Sequence, residues 1–321
     1  MKKQWKSFKA SFLSQKAGSS SDLYAIPPPV VDFAIGPSKD HLSQNNEDSN
    51  HLPPEIEYEI FALAFHNDEE GRTRLLRVAK RVAEWLVPML YEVVIIAEGD
   101  GWRLYPPIES LQQHGHHVKR IIVSSASVPF TQTTLLSTCP NVTDLVLWYG
   151  IDTTAEVLKL PITRLFFKNT DFVGAELWDL PKTPQIERWC SNITHVVLGS
   201  QINDSDSIRN LNVLTLFPSL THFMTFCWNK APVIHRILGC CPRLKVFVWL
   251  WGKCGARDFT KIVKGEDECP VDDPRIVTLN GYYLMDWIRG SRGEDDIWRL
   301  AEGEIRRSHR NINSSPPFFD E

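Results

Sequence analysis

The feature that most constrains this chain is a pattern that returns eight times from residue 90 onward. With φ for an apolar residue, φ-x-x-φ-x-φ occurs as Leu90/Val93/Ile95, Val118/Ile121/Val123, Val142/Leu145/Leu147, Ile162/Leu165/Phe167, Ile193/Val196/Leu198 and Leu244/Phe247/Trp249. Weaker copies begin at Leu220 (with Phe223) and Ile276 (with Leu279), and the starts are 28, 24, 20, 31, 27, 24 and 32 residues apart. The second and third φ of a copy lie two residues apart, so in a strand both point to one face. Amphipathic stretches such as 133–138 and 233–240 lie between copies and suit a turn or two of helix. Pro140, Pro218, Pro242 and Pro274 stand two residues before a φ start, and Pro161 one before. A proline there stops a helix and drives the chain into extended geometry.

A period of 20–32 residues built from one strand and a short helix predicts an α/β fold in which the units stack, an irregular leucine-rich-repeat-like solenoid over 93–281. An ordinary α/β sheet also alternates strands with helices, but no Gly-rich phosphate loop follows any of these strands, which favours stacking. The turn position that carries Asn or Cys in a regular array holds Ala126, Gly150, Thr170, Gln201 and Gly252, so no asparagine ladder is expected. Trp287, Ile288, Ile297, Trp298, Leu300, Ala301 and Ile305 make 282–307 read as C-terminal helices that cap the exposed edge of the last repeat, ahead of a disordered tail over 308–321.

The first 50 residues read differently, as a disordered arm: a Ser-rich run at 19–22, Pro27-Pro28-Pro29 and a polar stretch at 43–50, with no sustained apolar period. Trp5, Phe8, Phe12 and Leu13 share a helical face among five lysines of the first sixteen residues. The competing readings are a basic amphipathic segment that touches a membrane or receptor and a solvated tail, and the weak stability of short isolated helices favours the tail. A helical module spans 51–92. Leu52-Pro53-Pro54-Glu55 opens its first helix, since Pro suits the first turn and Glu55 the positive helix end. Ile56, Ile60, Phe61, Leu63 and Ala64 give the apolar spacing, and 66–71 breaks it. A second helix carries Leu75, Ala79, Val82 and Leu86 on one face until Pro88. Nine acids over 40–71 oppose five bases over 72–81, a polarity suited to pairing two antiparallel helices.

Residues 52–91 resemble an F-box, the three-helix module by which substrate receptors dock onto a cullin-based ubiquitin ligase. Leu52, Pro53, Glu55, Ile56, Ile60 and Phe61 match, Leu76-Arg77-Val78-Ala79-Lys80-Arg81 stands at the family's Leu…Val-Cys/Ser-Lys/Arg run, and Trp85 at its tryptophan. Leu90-Tyr91 stands where many members have Leu-Trp, and the layout is similar to a divergent form common in mushroom-forming fungi. Ala79 replaces the usual Cys or Ser, and 67–74 is shorter than the family's middle helix. The resemblance implies a non-catalytic receptor of an SCF-type ligase, with Leu52, Pro53, Ile56, Ile60, Leu76, Val78 and Trp85 binding the adaptor subunit, cullin engaged through it, and the repeats holding an unknown target protein. Physical reasoning reaches part of this alone. With Phe61, Val78, Val82 and Trp85 filling a small helical core, Leu52, Pro53, Ile56 and Ile60 are left over as a partner surface, unless they pack onto the first repeat. A ligase-independent scaffold with a vestigial F-box and a cryptic enzyme remain the alternatives.

Composition narrows the rest. A net charge of −4 with 23% charged residues does not suit a nucleic-acid or membrane-surface protein, and no stretch approaches the ~20 apolar residues of a membrane span. Seven cysteines, an odd number without Cys-x-x-Cys spacing, read as buried thiols of a reduced cytoplasmic or nuclear chain, so the four Asn-x-Ser/Thr sequons carry no expectation of glycosylation. His114-x-His116-His117 lacks companions at metal-ligand spacing and reads as a helix C-terminus that favours imidazolium. Cys240-Cys241 reads as core thiols, and Asp179, Asp272-Asp273 and Glu294 to Asp296 as loop caps and solvated faces. No catalytic residue, cofactor or metal is expected, since no nucleophile, phosphate-loop, zinc or dinucleotide motif is present.

Overall fold

The computed structural model describes residues 52–68, 71–96, 108–123, 129–147, 154–167, 183–201, 211–226, 231–250, 261–262, 269–280, 290 and 295–314. The expected N-terminal arm lies outside them.

The chain is an α/β protein. Helices α1 (Pro54–Asn67), α2 (Arg72–Leu75) and α3 (Lys80–Leu90) come first. Nine strands follow among the described residues: β1 (Val93–Ile96), β2 (Arg120–Val123), β3 (Asp144–Leu147), β4 (Arg164–Phe167), β5 (His195–Gln201), β6 (His222–Phe226), β7 (Val246–Leu250), β8 (Lys261–Ile262) and β9 (Ile276–Asn280). They form one sheet in the order β1-β2-β3-β4-β5-β6-β7-β9-β8, parallel throughout except that β8 runs antiparallel along β9. Every described connection between parallel strands up to β7 contains a helix: α4 (Ile108–His114), α5 (Pro129–Thr138), α6 (Thr154–Val157), α7 (Pro184–Asn192), the 3-10 turn Leu211–Leu216 and α8 (Ala231–Cys240). A last helix, α9, spans Ile297–Ser314.

The repeat pattern explains the first layer. Middle φ residues Ile121, Leu145, Leu165, Val196, Phe223 and Phe247 occupy one row across the sheet, and the first φ residues lie just ahead of it. All six are fully buried in one cluster with Leu111, Leu135, Leu136, Trp189, Val233, Ile234 and Ile237 from the helices. Each such side chain contributes about 1.5–3 kcal/mol of burial, and all the connecting helices with described side chains draw on the same face of the sheet.

The other face is buried as well. The x residue between the last two φ positions is Ile122, Val146, Phe166, Val197, Met224 or Val248, and these form a second apolar cluster. Ile297, Trp298 and Ala301 of α9 belong to that cluster. The expected cap over the last edge is therefore corrected: β8 pairs along the β9 edge, and α9 lies on the sheet face because its apolar residues match that face. Helix also continues over 308–314, within the stretch expected to be a disordered tail. The first and eighth copies are corrected too: Val94, not Val93, pairs in the Ile121 row, and Val93 and Ile95 pack on the second cluster. Ile276, not Leu279, pairs in the Phe247 row, while Val277 and Leu279 face the α9 side, so β9 does not repeat the register of its predecessors.

Strand entry has its own bonding. Lys119 O accepts both the Thr143 and Asp144 N–H groups, and Thr143 O, Thr163 O, Thr194 O and Thr221 O each do the same for the next strand. The hydroxyls of Thr143, Thr163, Thr194 and Thr221 add long bonds of 3.3, 3.4, 3.3 and 3.2 Å to the preceding carbonyl. A threonine ladder thus runs along the strand starts. Of the turn positions read as lacking asparagine, only Gln201 lies within the described residues, at the end of β5 beyond a register shift.

Candidate functional site

The helical module has a small core of Phe65, Leu76, Val82 and Leu86. Pro54 stands at the start of α1, with Glu55 and Glu57 in the first turn. Asp68 closes the turn after it by accepting from the Gly71 N–H at 2.8 Å. Arg72 Nε donates to Phe65 O at 2.9 Å, and its guanidinium stacks on the Phe65 ring, which ties α2 to α1. The second helix of the sequence reading is in fact two. Ala79 is extended between α2 and α3, which lets Leu76 rather than Ala79 enter the core. Pro88 lies inside α3 rather than ending it, because only the final turn follows, closed by the Tyr91 N–H on Val87 O. Arg81 and Glu57 form an ion pair between α3 and α1, in line with the opposed charge of the two segments.

Leu52 and Pro53 are exposed, Ile56 and Ile60 are about half exposed, and Leu63 is 63% exposed. Ile56, Ile60 and Leu63 share one stripe of α1 at i, i+4 and i+7, opposite the Ala62 and Phe65 face. Leu76 departs from the expected docking set, being 3% exposed and part of the core, whereas Val78, read both as docking and as core, is 58% exposed and lies outside the core. Trp85 is half-buried against the edge of Tyr58, with ring centroids 6.1 Å apart.

A second assembly lies on the sheet face under α9. The residue just before the middle φ of β2 to β6 forms a polar row in strand register: Arg120, Asp144, Arg164, His195 and His222. Arg120 Nε donates to Asp144 at 2.8 Å, and Arg164 Nη1 donates to Asp296 at 3.0 Å. Asp296 accepts in addition from the Arg299 N–H at 2.9 Å, capping the start of α9. Burial pushes the Asp144 carboxyl up, against the pull of Arg164 and Arg120. The imidazoles of His195 and His222 stack at 4.1 Å, and the Trp298 ring stands edge-on to both. His222 Nε2 meets Glu302 Oε1 of α9 at 3.1 Å. Burial pulls His195 down to about 2, helped by His222 and Arg164, and lowers His222 despite Glu302. Both are neutral at pH 7, so the row carries balanced ion pairs and an uncharged aromatic stack. The Thr194 and Thr221 hydroxyls lie 2.8 Å from Nδ1 of His195 and His222, so each imidazole is held by the threonine just before it, and His222 by Glu302 as well.

This row was absent from the sequence reading, although its signal was there. Val142-Thr143-Asp144-Leu145, Ile162-Thr163-Arg164-Leu165, Ile193-Thr194-His195-Val196 and Leu220-Thr221-His222-Phe223 are four consecutive copies of φ-Thr-polar-φ. The threonine serves the strand entry and the polar residue turns to the α9 face.

His114 ends α4 and stacks on Tyr91, and His116 and His117 form the 3-10 turn after it. Burial lowers His114 and His117, so the expected attraction of a cationic imidazole to the helix end gives way to desolvation and mutual repulsion. No group of three metal-ligating side chains occurs among the described residues. Cys139, Cys190 and Cys241 are buried free thiols, pushed up to about 11, 11 and 12. Asp273 clasps Arg275 through both oxygens at 2.8 and 2.7 Å, as a loop cap. Asp296 is no solvated face but part of the row; Asp179 and Glu294 lie outside the described residues. Among the described residues no helix is long and apolar enough to cross a membrane.

No protein-family model matches this chain, and no curated protein matches it.

Proposed function

We propose that this protein is a non-catalytic substrate receptor of a cullin-type ubiquitin ligase, with α1 to α3 as an F-box-like module that docks the adaptor and the strand array as a leucine-rich-repeat-like body that holds a target protein. The observation that carries the reading is the apolar stripe of α1. Leu52, Ile56, Ile60 and Leu63 stand in water although the same helix buries Ala62 and Phe65 on its other side. A helix apolar on both sides needs two partners, and the module supplies one. The order of a long, a short and a long helix and the resemblance of residues 52–91 to an F-box support the same reading. So does a sheet whose strands add in chain order from β1 to β7, the connectivity of a stacked array. A receptor of this kind performs no chemistry. It raises the local concentration of a target lysine beside a charged ubiquitin carrier.

The test is a pull-down with purified SCF adaptor, run beside a thermal melt of the same preparation. Pro53→Ala with Ile56→Asp should abolish binding, because a docked carboxylate without a partner is strongly disfavoured at an apolar interface. The melt should move little, since Ile56 is already 48% exposed. Undiminished binding, or no binding by the parent chain, would sink the receptor reading and leave a ligase-independent scaffold.

A further inference from the structure

In a stacked array with all its helices on one side, the opposite sheet face is the free surface. Here a segment of the same chain sits on it. Phe166, Val197, Met224, Val248 and Val277 lie side by side across β4 to β7 and β9, and Ile297, Trp298 and Ala301 of α9 join their cluster. Among the described side chains of α9 the seam ends at Ile305, because Arg306, Arg307, His309 and Arg310 are exposed. Two polar clamps hold it, Asp296 on Arg164 at 3.0 Å and Glu302 on His222 at 3.1 Å, and they flank the Trp298 edge that meets the stacked imidazoles. The recognition elements are thus an aromatic anchor, an acid two positions before it, another four positions after it, and a small residue at 301 that lets the helix approach. All of them are available to a helix from another molecule. When α9 lifts, Arg164 keeps only Asp144 at 4.0 Å as a carboxylate neighbour among the described residues, so an incoming helix is favoured by bringing acids.

We propose that this face is a binding groove that accepts, from a partner protein, an amphipathic helix with an aromatic residue flanked by acids, and that α9 is the resident competitor for it. The assignment of that partner as the ligase target rests on the receptor reading; the groove itself does not. Because α9 is tethered, its effective concentration is on the order of millimolar, and a partner helix must outbind it or enter when it opens. Helix-in-groove recognition of this kind is read through anchors spaced along one helical face.

Two measurements on the full chain test the groove. In native hydrogen exchange of the parent protein, the amides of α9 should exchange well before those of β5, β6 and β7, through an opening that leaves the sheet closed. Exchange of α9 in step with those strands would overturn the proposal. The second measurement uses a fluorescent peptide of residues 295–314 and anisotropy. Asp296→Asn with Glu302→Gln in the full chain weakens the resident clamps without touching the apolar seam. That variant should bind the peptide at least about tenfold tighter than the parent, and a peptide carrying Trp298→Ala should not bind it. Failure of the unmodified peptide to bind a variant whose α9 opens more often would also overturn the proposal, and if the double variant does not fold, the parent's exchange pattern decides. Neither readout involves the adaptor, so a failed groove with intact adaptor binding leaves the receptor reading standing.

Discussion

Phe166→Ala offers the clearest measure of a sheet buried on both sides. Phe166 is fully buried, lies between Val146 and Val197 in its row, and faces away from the helical layer that packs on neighbouring Leu165. A buried phenylalanine removes about 150–250 Å² from water. At about 25 cal/mol per Å², less what alanine retains and plus the cavity left behind, truncation costs about 3–5 kcal/mol. On an open face the same change would cost about 0.5 kcal/mol or less. Leu165→Ala, one residue earlier and on the opposite side, is the internal standard at about 2–5 kcal/mol. Urea denaturation followed by circular dichroism reads both variants. With a slope of about 2–3 kcal/mol per molar urea, the Phe166 variant should lose roughly 1–2 M in midpoint, comparable to the Leu165 variant. A Phe166→Ala midpoint within about 0.3 M of the parent, beside a large Leu165→Ala shift, would refute two-sided burial and with it the seat of α9.

Two further outcomes are expected. The unfolded chain protonates His195 near 6.5 and the folded chain near 2, so between those values the unfolded state binds more protons. Stability contributed by the neutral stack is therefore complete above about pH 6.5 and falls on acidification, by up to about 1.4 kcal/mol per unit for His195. His195→Gln should flatten urea-derived stability between pH 6.5 and 4.5 relative to the parent, and parallel profiles would refute the assignment. In the helical module, Leu76→Ala should cost about 2–5 kcal/mol, read as a lower thermal midpoint, while Val78→Ala should stay within about 0.5 kcal/mol; equal effects would contradict the opposite burial of the two side chains.

The strands were legible because their signal is local. The middle φ residues of β2 to β7 land in register, and Leu145 and Phe247 are fully buried as their spacing requires. The second face was less visible because alternation was read for one side only. Ile122, Val146, Phe166, Val197, Met224 and Val248 make these strands near-continuous apolar runs, the mark of parallel sheets covered on both faces. The polar row was hidden for a different reason. Arg164 and Asp296 are 132 residues apart, and no local period announces a partner at that distance. The weak copy at Ile276 misled because a single φ-x-x-φ match fits two registers, and β9 takes the one that sends Leu279 to the α9 side. In the module, the exposed stripe of α1 followed from an excess of apolar residues at helical spacing, whereas the burial of Leu76 and the exposure of Val78 depend on the extended backbone at Ala79 between two helices.

From β1 to β7, neighbours in the sheet are neighbours in the chain, so on the ribosome this part can grow strand by strand, each new unit completed by the one just before it. The partner of its second face comes last. From the emergence of β7 until α9 is synthesised, several seconds at about 5–20 residues per second, the apolar row of Phe166, Val197, Met224 and Val248 has no C-terminal helix to cover it. A chain stopped between β7 and α9 keeps that row bare permanently, which makes such truncations sticky species for chaperones or aggregates to claim, even though every repeat ahead of the stop is intact.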